Sequence, residues 1–108
     1  MRIRAKEKLF GLTVGKEYEV IGLDDQYYRV LDDSGEPVLF PHTAFVVLDE
    51  QVPPDWVWQR YAEGDFYANP PELQGPGFYE DYFDHKRYAQ EAFAVYLRRV
   101  GLHRNRGG

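Results

Sequence analysis

Cysteine is absent from this chain of 108 residues. Without a thiol, the protein can form no disulfide scaffold, no zinc site built on thiolates and no cysteine nucleophile. Serine occurs once, as Ser34 in a predicted turn, so a serine nucleophile is not expected either. Because the chain also lacks a glycine-rich phosphate loop, we predict a protein without a bound cofactor.

Long apolar runs are also missing from the sequence. A membrane-spanning helix needs roughly 18 or more consecutive apolar residues, and no stretch approaches that length. The first residues, MRIRAKEKLF, lack the apolar core of a signal peptide. Together with the missing cysteines, these features predict a cytoplasmic protein that does not contact the membrane.

Aromatic residues, by contrast, are abundant, at 17% of a chain whose hydrophobic content is 44%. This composition suffices for a core and argues against disorder, which is typical of chains with few aromatic residues. The length fits one domain. We predict a single domain, 1–108, made of a barrel over 1–50, an aromatic linker rich in proline and glycine over 51–78, a helix over 79–101 and a frayed tail over 102–108.

Charge is distributed unevenly along the chain. Residues 1–16 hold five basic residues and one acid, and residues 85–108 hold six basic residues and one acid. Residues 17–84 hold sixteen acids and two basic residues, a net charge of −14. An acidic surface repels nucleic acid and attracts basic partners over roughly a Debye length of 8–10 Å. We therefore expect a basic protein as partner rather than nucleic acid, although solubility alone explains the same pattern.

The first half of the chain alternates apolar and polar residues, as strands do. Residues 2–8 carry a basic side chain at every second position, which predicts an edge strand, because lysines protect an edge from mispairing. Four further strands are predicted at 16–23, 26–31, 36–40 and 45–48, with a hairpin turn at 32–35 and a short helical turn at 41–44.

This strand pattern resembles a bacterial SH3-like barrel. The resemblance lies in the run LTVGKEYEVIGLDDQYYRVLDDSGEPVLFPHTAFVVL, where Gly15-Lys16 precedes Tyr18 and Val20, the turn Asp32-Asp33-Ser34-Gly35 joins two strands, and Phe45 follows a one-turn break. It implies a small five-stranded barrel within an α+β fold, in a family made mostly of binding modules. The whole chain resembles small bacterial proteins, including acidic immunity proteins of toxin systems.

The second half changes from strand periodicity to helix periodicity. Two aromatic runs, at 56–61 and 66–68, flank a turn sequence, which favours a hairpin over a short helix. From Tyr79 the apolar residues recur every three or four positions and predict one helix with a cap at Gly101 and Leu102. Its predicted apolar stripe consists of Tyr82, His85, Ala89, Ala92, Phe93, Tyr96, Leu97 and Val100.

Asp81, Asp84 and His85 are the best candidates for metal binding or acid–base chemistry. On a helix, residues four positions apart share a face, so Asp81 and His85 would both reach one ion. Alternatively, the aspartates stabilise the helix N-terminus and His85 lies at the core edge. Because no distant ligand motif accompanies them, we predict no metal, and a small metal-dependent enzyme remains an alternative.

The aromatic residues of the second half are too numerous for one small core. Some should form a groove where barrel, linker and helix meet, unless they form a second hydrophobic cluster that fixes the helix. Rings surrounded by acids suit a basic protein or peptide, since rings supply affinity and acids supply steering. The predicted binding residues are Trp56, Trp58, Tyr67, Tyr79, Asp55, Glu63, Asp65, Glu72, Glu80 and Asp81.

These features predict a non-enzymatic binding protein, of the immunity or antagonist type, that binds a basic bacterial protein. A second hypothesis is an SH3-like adaptor that binds a peptide, or binds nucleic acid through its basic ends. The basic residues that would then contact the ligand are Arg2, Arg4, Lys6, Arg98, Arg99 and Arg104.

Overall fold

The computed structural model describes residues 1–61 and 63–103. They form a small mixed α+β fold, as predicted, with a mostly antiparallel sheet and one main helix. The strands are β1 (Arg2–Ala5), β2 (Glu17–Asp24), β3 (Tyr27–Leu31), β4 (Pro37–Pro41), β5 (Phe45–Asp49), β6 (Val57–Arg60) and β7 (Phe66–Asn69). The helices are α1 (Phe78–Phe83) and α2 (Arg87–Val100), with 3₁₀ helices at His42–Ala44 and Pro71–Leu73.

The five strands predicted for the first half are all present, in the sheet order β4-β3-β2-β1-β5. The prediction that the first strand is an edge strand is wrong, because β1 pairs with β2 on one side and with β5 on the other. Its arginines lie opposite acids instead: Arg2 is in register with Glu19, and Arg4 with Glu17. Arg2 forms an ion pair with Glu17 of β2 at 3.6 Å, so this basic residue takes part in cross-strand charge pairing rather than in edge protection.

Strand β2 connects the two halves of the molecule. Its first residues pair with β1, and from Val20 onward it pairs with β3, with an irregularity in register between Val20 and Gly22. Its last residues, Leu23 and Asp24, also pair with β7. A bulge of this kind bends a strand and increases its twist, so β2 can contribute to both groups of strands.

Two hydrophobic clusters lie on opposite faces of β2. Val20 belongs to the first cluster, which the strands, the loops and Trp56 form, and it is completely buried there. The adjacent Ile21 is equally buried in the second cluster, against α1, α2 and the second 3₁₀ helix. Because successive side chains of a strand point to opposite faces, these two residues require cover on both sides of β2.

The local turn predictions are confirmed. The turn at 32–35 joins β3 to β4, with Gly35 at a φ of 85° and Asp32 accepting hydrogen bonds from the backbone N–H groups of Ser34 and Glu36. The short helical turn is the first 3₁₀ helix. The aromatic hairpin is also present, since β6 and β7 pair antiparallel within the segment that was predicted as a linker.

The prediction of one continuous helix over 79–101 is wrong, because α1 ends at Phe83 and α2 begins at Arg87. His85 between them has a φ of 61°, in the left-handed region. The N–H of Lys86 bonds the carbonyl of Asp81, and the N–H of His85 bonds that of Tyr82. These bonds form a helix cap that normally uses glycine. They leave the His85 side chain exposed, so the prediction that His85 belongs to the apolar stripe is wrong.

The C-terminal cap at Gly101 is confirmed. Gly101 has a φ of 74°, and the N–H of Leu102 bonds the carbonyl of Leu97 at 3.0 Å. The predicted frayed tail over 102–108 begins too early, because Leu102 is partly buried against the second cluster. The tail residues from 104 onward, including Arg104, lie outside the described residues.

The carboxylate of Asp33 holds the loop between β1 and β2 in place. It accepts hydrogen bonds from the hydroxyl groups of Thr13 and Tyr18, both at 2.7 Å, and from the Lys16 ammonium at 2.9 Å. Partial burial alone would raise the pKa of Asp33, but these three donors hold it below its ordinary value.

Replacing Asp33 should therefore change how stability depends on pH. A carboxylate with a lowered pKa stabilises the fold above its unfolded pKa of about 3.9, and this stabilisation is lost as the pH falls through the folded value. We expect Asp33→Asn to cost about 1–2 kcal/mol at neutral pH, and the deficit should shrink below about pH 4. Urea titrations from pH 7 to pH 3 measure this. Asp25→Asn, at an exposed position, is the control, and a deficit that is constant with pH would contradict the role of the Asp33 charge.

The apolar stripe of α2 gives a second test of the fold. Phe93 is 1% exposed in the second cluster, so Phe93→Ala should cost about 2–5 kcal/mol, as large-to-small substitutions in a core do. Leu97→Ala should fall in the same range. Phe83→Ala, at an exposed ring of α1, should cost less than about 1 kcal/mol in the same urea titration. Equal losses at Phe93 and Phe83 would show that the stripe does not face the core.

Candidate binding site

Trp56, one of the predicted binding residues, lies in the core. It is 6% exposed and belongs to the first hydrophobic cluster. Its N–H bonds the carbonyl of Pro53 in a turn just before β6, and this turn directs the indole inward. Trp56 is therefore not an exposed ring, and its main contacts are with the core of the same chain.

Two of the predicted acids are occupied by an arginine of the same chain. Arg99 on α2 bonds Glu72 through two nitrogens, one of them at 2.8 Å, and lies 3.1 Å from Asp55. The Arg99 hydrogen bond lowers the pKa of Glu72 below its ordinary value. These contacts attach α2 to the second 3₁₀ helix and to the segment before β6, so Asp55 and Glu72 are not free acids.

Asp81, Asp84 and His85 do not assemble as the predicted helix would place them. Asp81 accepts a hydrogen bond from the Tyr88 hydroxyl, while Asp84 and His85 are exposed at the break after α1. Within residues 1–61 and 63–103, no group of three histidine or acidic side chains is arranged to hold a metal ion. The metal-dependent alternative thus has no geometric support there.

The β6–β7 hairpin presents three exposed members of the predicted set, Trp58, Glu63 and Asp65, together with Tyr61, which was not in that set. Trp58 is 48% exposed and its ring stacks on Phe66 at 5.7 Å. Tyr61 is 53% exposed; its hydroxyl donates to the Tyr67 hydroxyl, which in turn donates to Gln59. We call Trp58, Tyr61, Glu63 and Asp65 the hairpin surface; its two acids are exposed at the hairpin end. The rings are exposed but held in fixed positions.

Tyr67 and Tyr79 both line a cavity of about 160 Å³ where β2, β3, β7 and α1 come together. We call it the junction cavity. Its polar lining also includes Asp24, Arg29 and Asn69, and Leu23 and Leu39 complete the wall. This is the place where the sequence predicted a groove between barrel, linker and helix.

Arg29 is the one cation among the residues that line the junction cavity. Its guanidinium carbon lies 3.6 Å from the centre of the Tyr79 ring, and one of its nitrogens donates to the carbonyl of Pro37 at 2.8 Å. None of the ion pairs between described residues includes Arg29. Burial lowers the pKa of Arg29 and raises that of Tyr79, whose buried hydroxyl has no hydrogen-bond partner in the described part of the chain.

Sequence reasoning missed Arg29 because the alternation of the strand places its side chain on the outer face of β3, opposite the buried Tyr28 and Val30. The ring that covers it is Tyr79, fifty residues further along the chain. One signal was available: Arg29 and Arg60 are the only basic residues between positions 17 and 84. A lone cation in a strongly acidic stretch is a candidate for a specific contact.

One more predicted binding residue, Glu80, lies on α1. Its side chain is exposed, and exposure is what a steering acid needs.

Neither helix in the described part of the chain is long and apolar enough to cross a membrane. Comparisons with protein-family models, curated proteins and solved structures found no match for this chain.

The two tryptophans give a direct test of this assignment. Trp56→Ala should cost about 3–5 kcal/mol because it empties a core position, whereas Trp58→Ala should cost less than about 1 kcal/mol. Urea titration measures both. In intact protein, Trp58→Phe leaves only the buried indole and should shift fluorescence to shorter wavelength, and Trp56→Phe should shift it the other way. Reversed shifts would mean that the two side chains have been assigned the wrong environments.

Proposed function

We propose that this protein is a non-enzymatic binding protein that uses the hairpin surface to contact a basic protein, as an immunity or antagonist protein does. The supporting observation is that Trp58 and Tyr61 are about half exposed and yet held by ring stacking and by hydrogen bonds. Rings that are already ordered lose little conformational entropy on association. Aromatic residues are also enriched among the residues that dominate binding energies.

Unpaired acids, Glu63 and Asp65 in the hairpin surface and Glu80 on α1, support a basic partner. No ion pair between described residues includes Glu63, Asp65 or Glu80, so these carboxylates are available for steering a cation. Asp55, Glu72 and Asp81 leave the proposed contact set, since each already binds a group of this chain. Long-range attraction by free acids raises association rates and is weakened by salt.

The SH3-like barrel and the cytoplasmic location are part of the same proposal. The order β4-β3-β2-β1-β5, in which the fifth strand returns to pair with the first, supports a small barrel of that kind. A single 3₁₀ helix between β4 and β5 fits the same pattern. Such barrels serve many functions, so the fold favours a binding module without naming its ligand.

The alternative, binding of a peptide or nucleic acid through the basic end of the chain, has one observation in its favour. Phe10 is fully exposed, and Lys6 and Lys8, which precede it by four and two positions in the chain, are exposed and belong to none of the ion pairs between described residues. An aromatic ring beside free cations is suited to stacking on an unpaired base. The arginines of β1 favour it less, because glutamates of β2 lie opposite them.

Binding kinetics against basic proteins test the proposal. A panel of basic proteins and a single-stranded DNA would be measured at low salt and at 0.15 M salt, and a basic protein that binds would be taken further. Glu63→Lys combined with Asp65→Lys should slow association and weaken its salt dependence. Trp58→Ala should speed dissociation by about 30-fold, which corresponds to roughly 2 kcal/mol for a dominant contact.

Matched variants separate the hairpin from general charge effects. Asp25→Lys combined with Glu50→Lys changes the net charge equally at exposed positions elsewhere, and Phe83→Ala removes an exposed ring on α1. Both should leave the rates within about twofold of the unchanged protein. Equal effects of the two charge reversals would contradict the proposal. DNA binding without any basic partner, abolished by Lys6→Glu with Lys8→Glu, would establish the alternative.

A further inference from the structure

The junction cavity contains a cation whose charge is not matched by a contacting acid. The Arg29 guanidinium lies over the Tyr79 ring, with its carbon 3.6 Å from the ring centre, and one of its nitrogens donates to the carbonyl of Pro37. A ring above the guanidinium covers one face of its plane, so the N–H groups along the edge that do not bond Pro37 can still donate. Asp24 attracts this cation across the cavity without forming an ion pair with it. A partly buried arginine that no carboxylate contacts is costly, and a bound anion would offset that cost.

Asn69 supplies a second polar group to the same cavity. Its side-chain oxygen is packed against the backbone of Gly22, so closely that a β-carbon at position 22 would lie 2.6 Å from it. Its amide nitrogen makes no hydrogen bond within the described residues. The carbonyl side of this amide is therefore turned to the strand, and its donor side remains available.

The one acid of the cavity limits the charge that a ligand can carry. Asp24 accepts hydrogen bonds from the backbone N–H groups of Gln26 and Tyr27, at 2.8 and 2.6 Å, which fixes its carboxylate at the rim. One cation and one nearby anion favour a singly charged ligand over a doubly charged phosphate. The volume of about 160 Å³ and the apolar walls suit a small group with a short hydrocarbon part.

We propose that the junction cavity binds a carboxylate group, with the edge of the Arg29 guanidinium and the Asn69 amide as donors and the Tyr79 ring holding the guanidinium in position. Arginine binds a carboxylate through two parallel hydrogen bonds. Phosphate could form the same pair of hydrogen bonds, but the Asp24 carboxylate would repel its larger negative charge. The carboxylate belongs either to a small free acid or to the C-terminus of a peptide. The proposal does not rest on the hairpin surface, although Tyr67 links the two sites: it lines the cavity and accepts a hydrogen bond from Tyr61.

Nuclear magnetic resonance titrations of the whole isotope-labelled chain test the proposal without any variant. Propionate should shift the Arg29 Nε–H and Asn69 side-chain amide signals saturably, with a dissociation constant on the order of millimolar, as befits so small a ligand. Propionamide, which has the same shape without the charge, should not shift them. Inorganic phosphate should bind more weakly than propionate.

Substitutions then assign the donor. Arg29→Lys keeps the charge but loses the paired hydrogen bonds, and should weaken propionate binding by about tenfold or more. Arg60→Lys, the control at the other basic residue of the acidic stretch, should change nothing. If Arg29→Lys fails to fold, the comparison of propionate with propionamide on the unaltered chain still decides the question.

The source of the carboxylate is distinguished by peptides. Saturable binding of a short peptide with a free C-terminus, but not of its amidated form, would assign a chain end, whereas binding of propionate alone would assign a small acid. Equal shifts with propionate and propionamide, shifts that do not saturate, tighter binding of phosphate, or unchanged binding in Arg29→Lys would each overturn the proposal.

Discussion

The burial of β2 on both faces is the constraint on which the rest of the molecule depends. Val20 and Ile21 are adjacent and nearly inaccessible, and a strand must direct them to opposite sides. One side is covered by the strands that pair around β2, and the other by the helices. An antiparallel sheet often leaves one face to water, so the second apolar residue explains why this chain needs its C-terminal helices.

The junction cavity is a consequence of this arrangement. The bend in β2 allows β7 to pair beside Leu23, which brings the aromatic hairpin to the end of the strand where Arg29 lies on β3. Packing of α1 over Ile21 then places Tyr79 on the guanidinium. No single element contains the site, and each supplies one wall.

The features that sequence reasoning found are those fixed by local chemistry. The turn at Asp32–Gly35 and the cap at Gly101 need only a residue that tolerates a positive φ, and the β6–β7 hairpin needs only two aromatic runs around a turn. The break at His85 was missed because histidine occupies a position that usually takes glycine, while the spacing of apolar residues continues across it.

The missed features of the site depend on residues far apart in the chain. Arg99 reaches Glu72 across 27 positions, and nothing near either residue indicates the pair. Trp56 and Trp58 are two positions apart and share most of their sequence neighbours. Only the packing of the whole fold buries Trp56 and exposes Trp58. Long-range contacts of this kind decide which predicted residues remain on the surface.

One measurement tests most directly whether β2 unites the two clusters. The Trp58→Phe protein would be unfolded in urea and followed by two signals. The fluorescence of Trp56 reports on the first cluster, and far-ultraviolet circular dichroism reports on α1 and α2, which belong to the second cluster. Because both clusters share β2, the two transitions should coincide, as for a single cooperative unit. Loss of the helical signal at lower urea, with the Trp56 signal unchanged, would contradict this structure of one domain built on a shared strand.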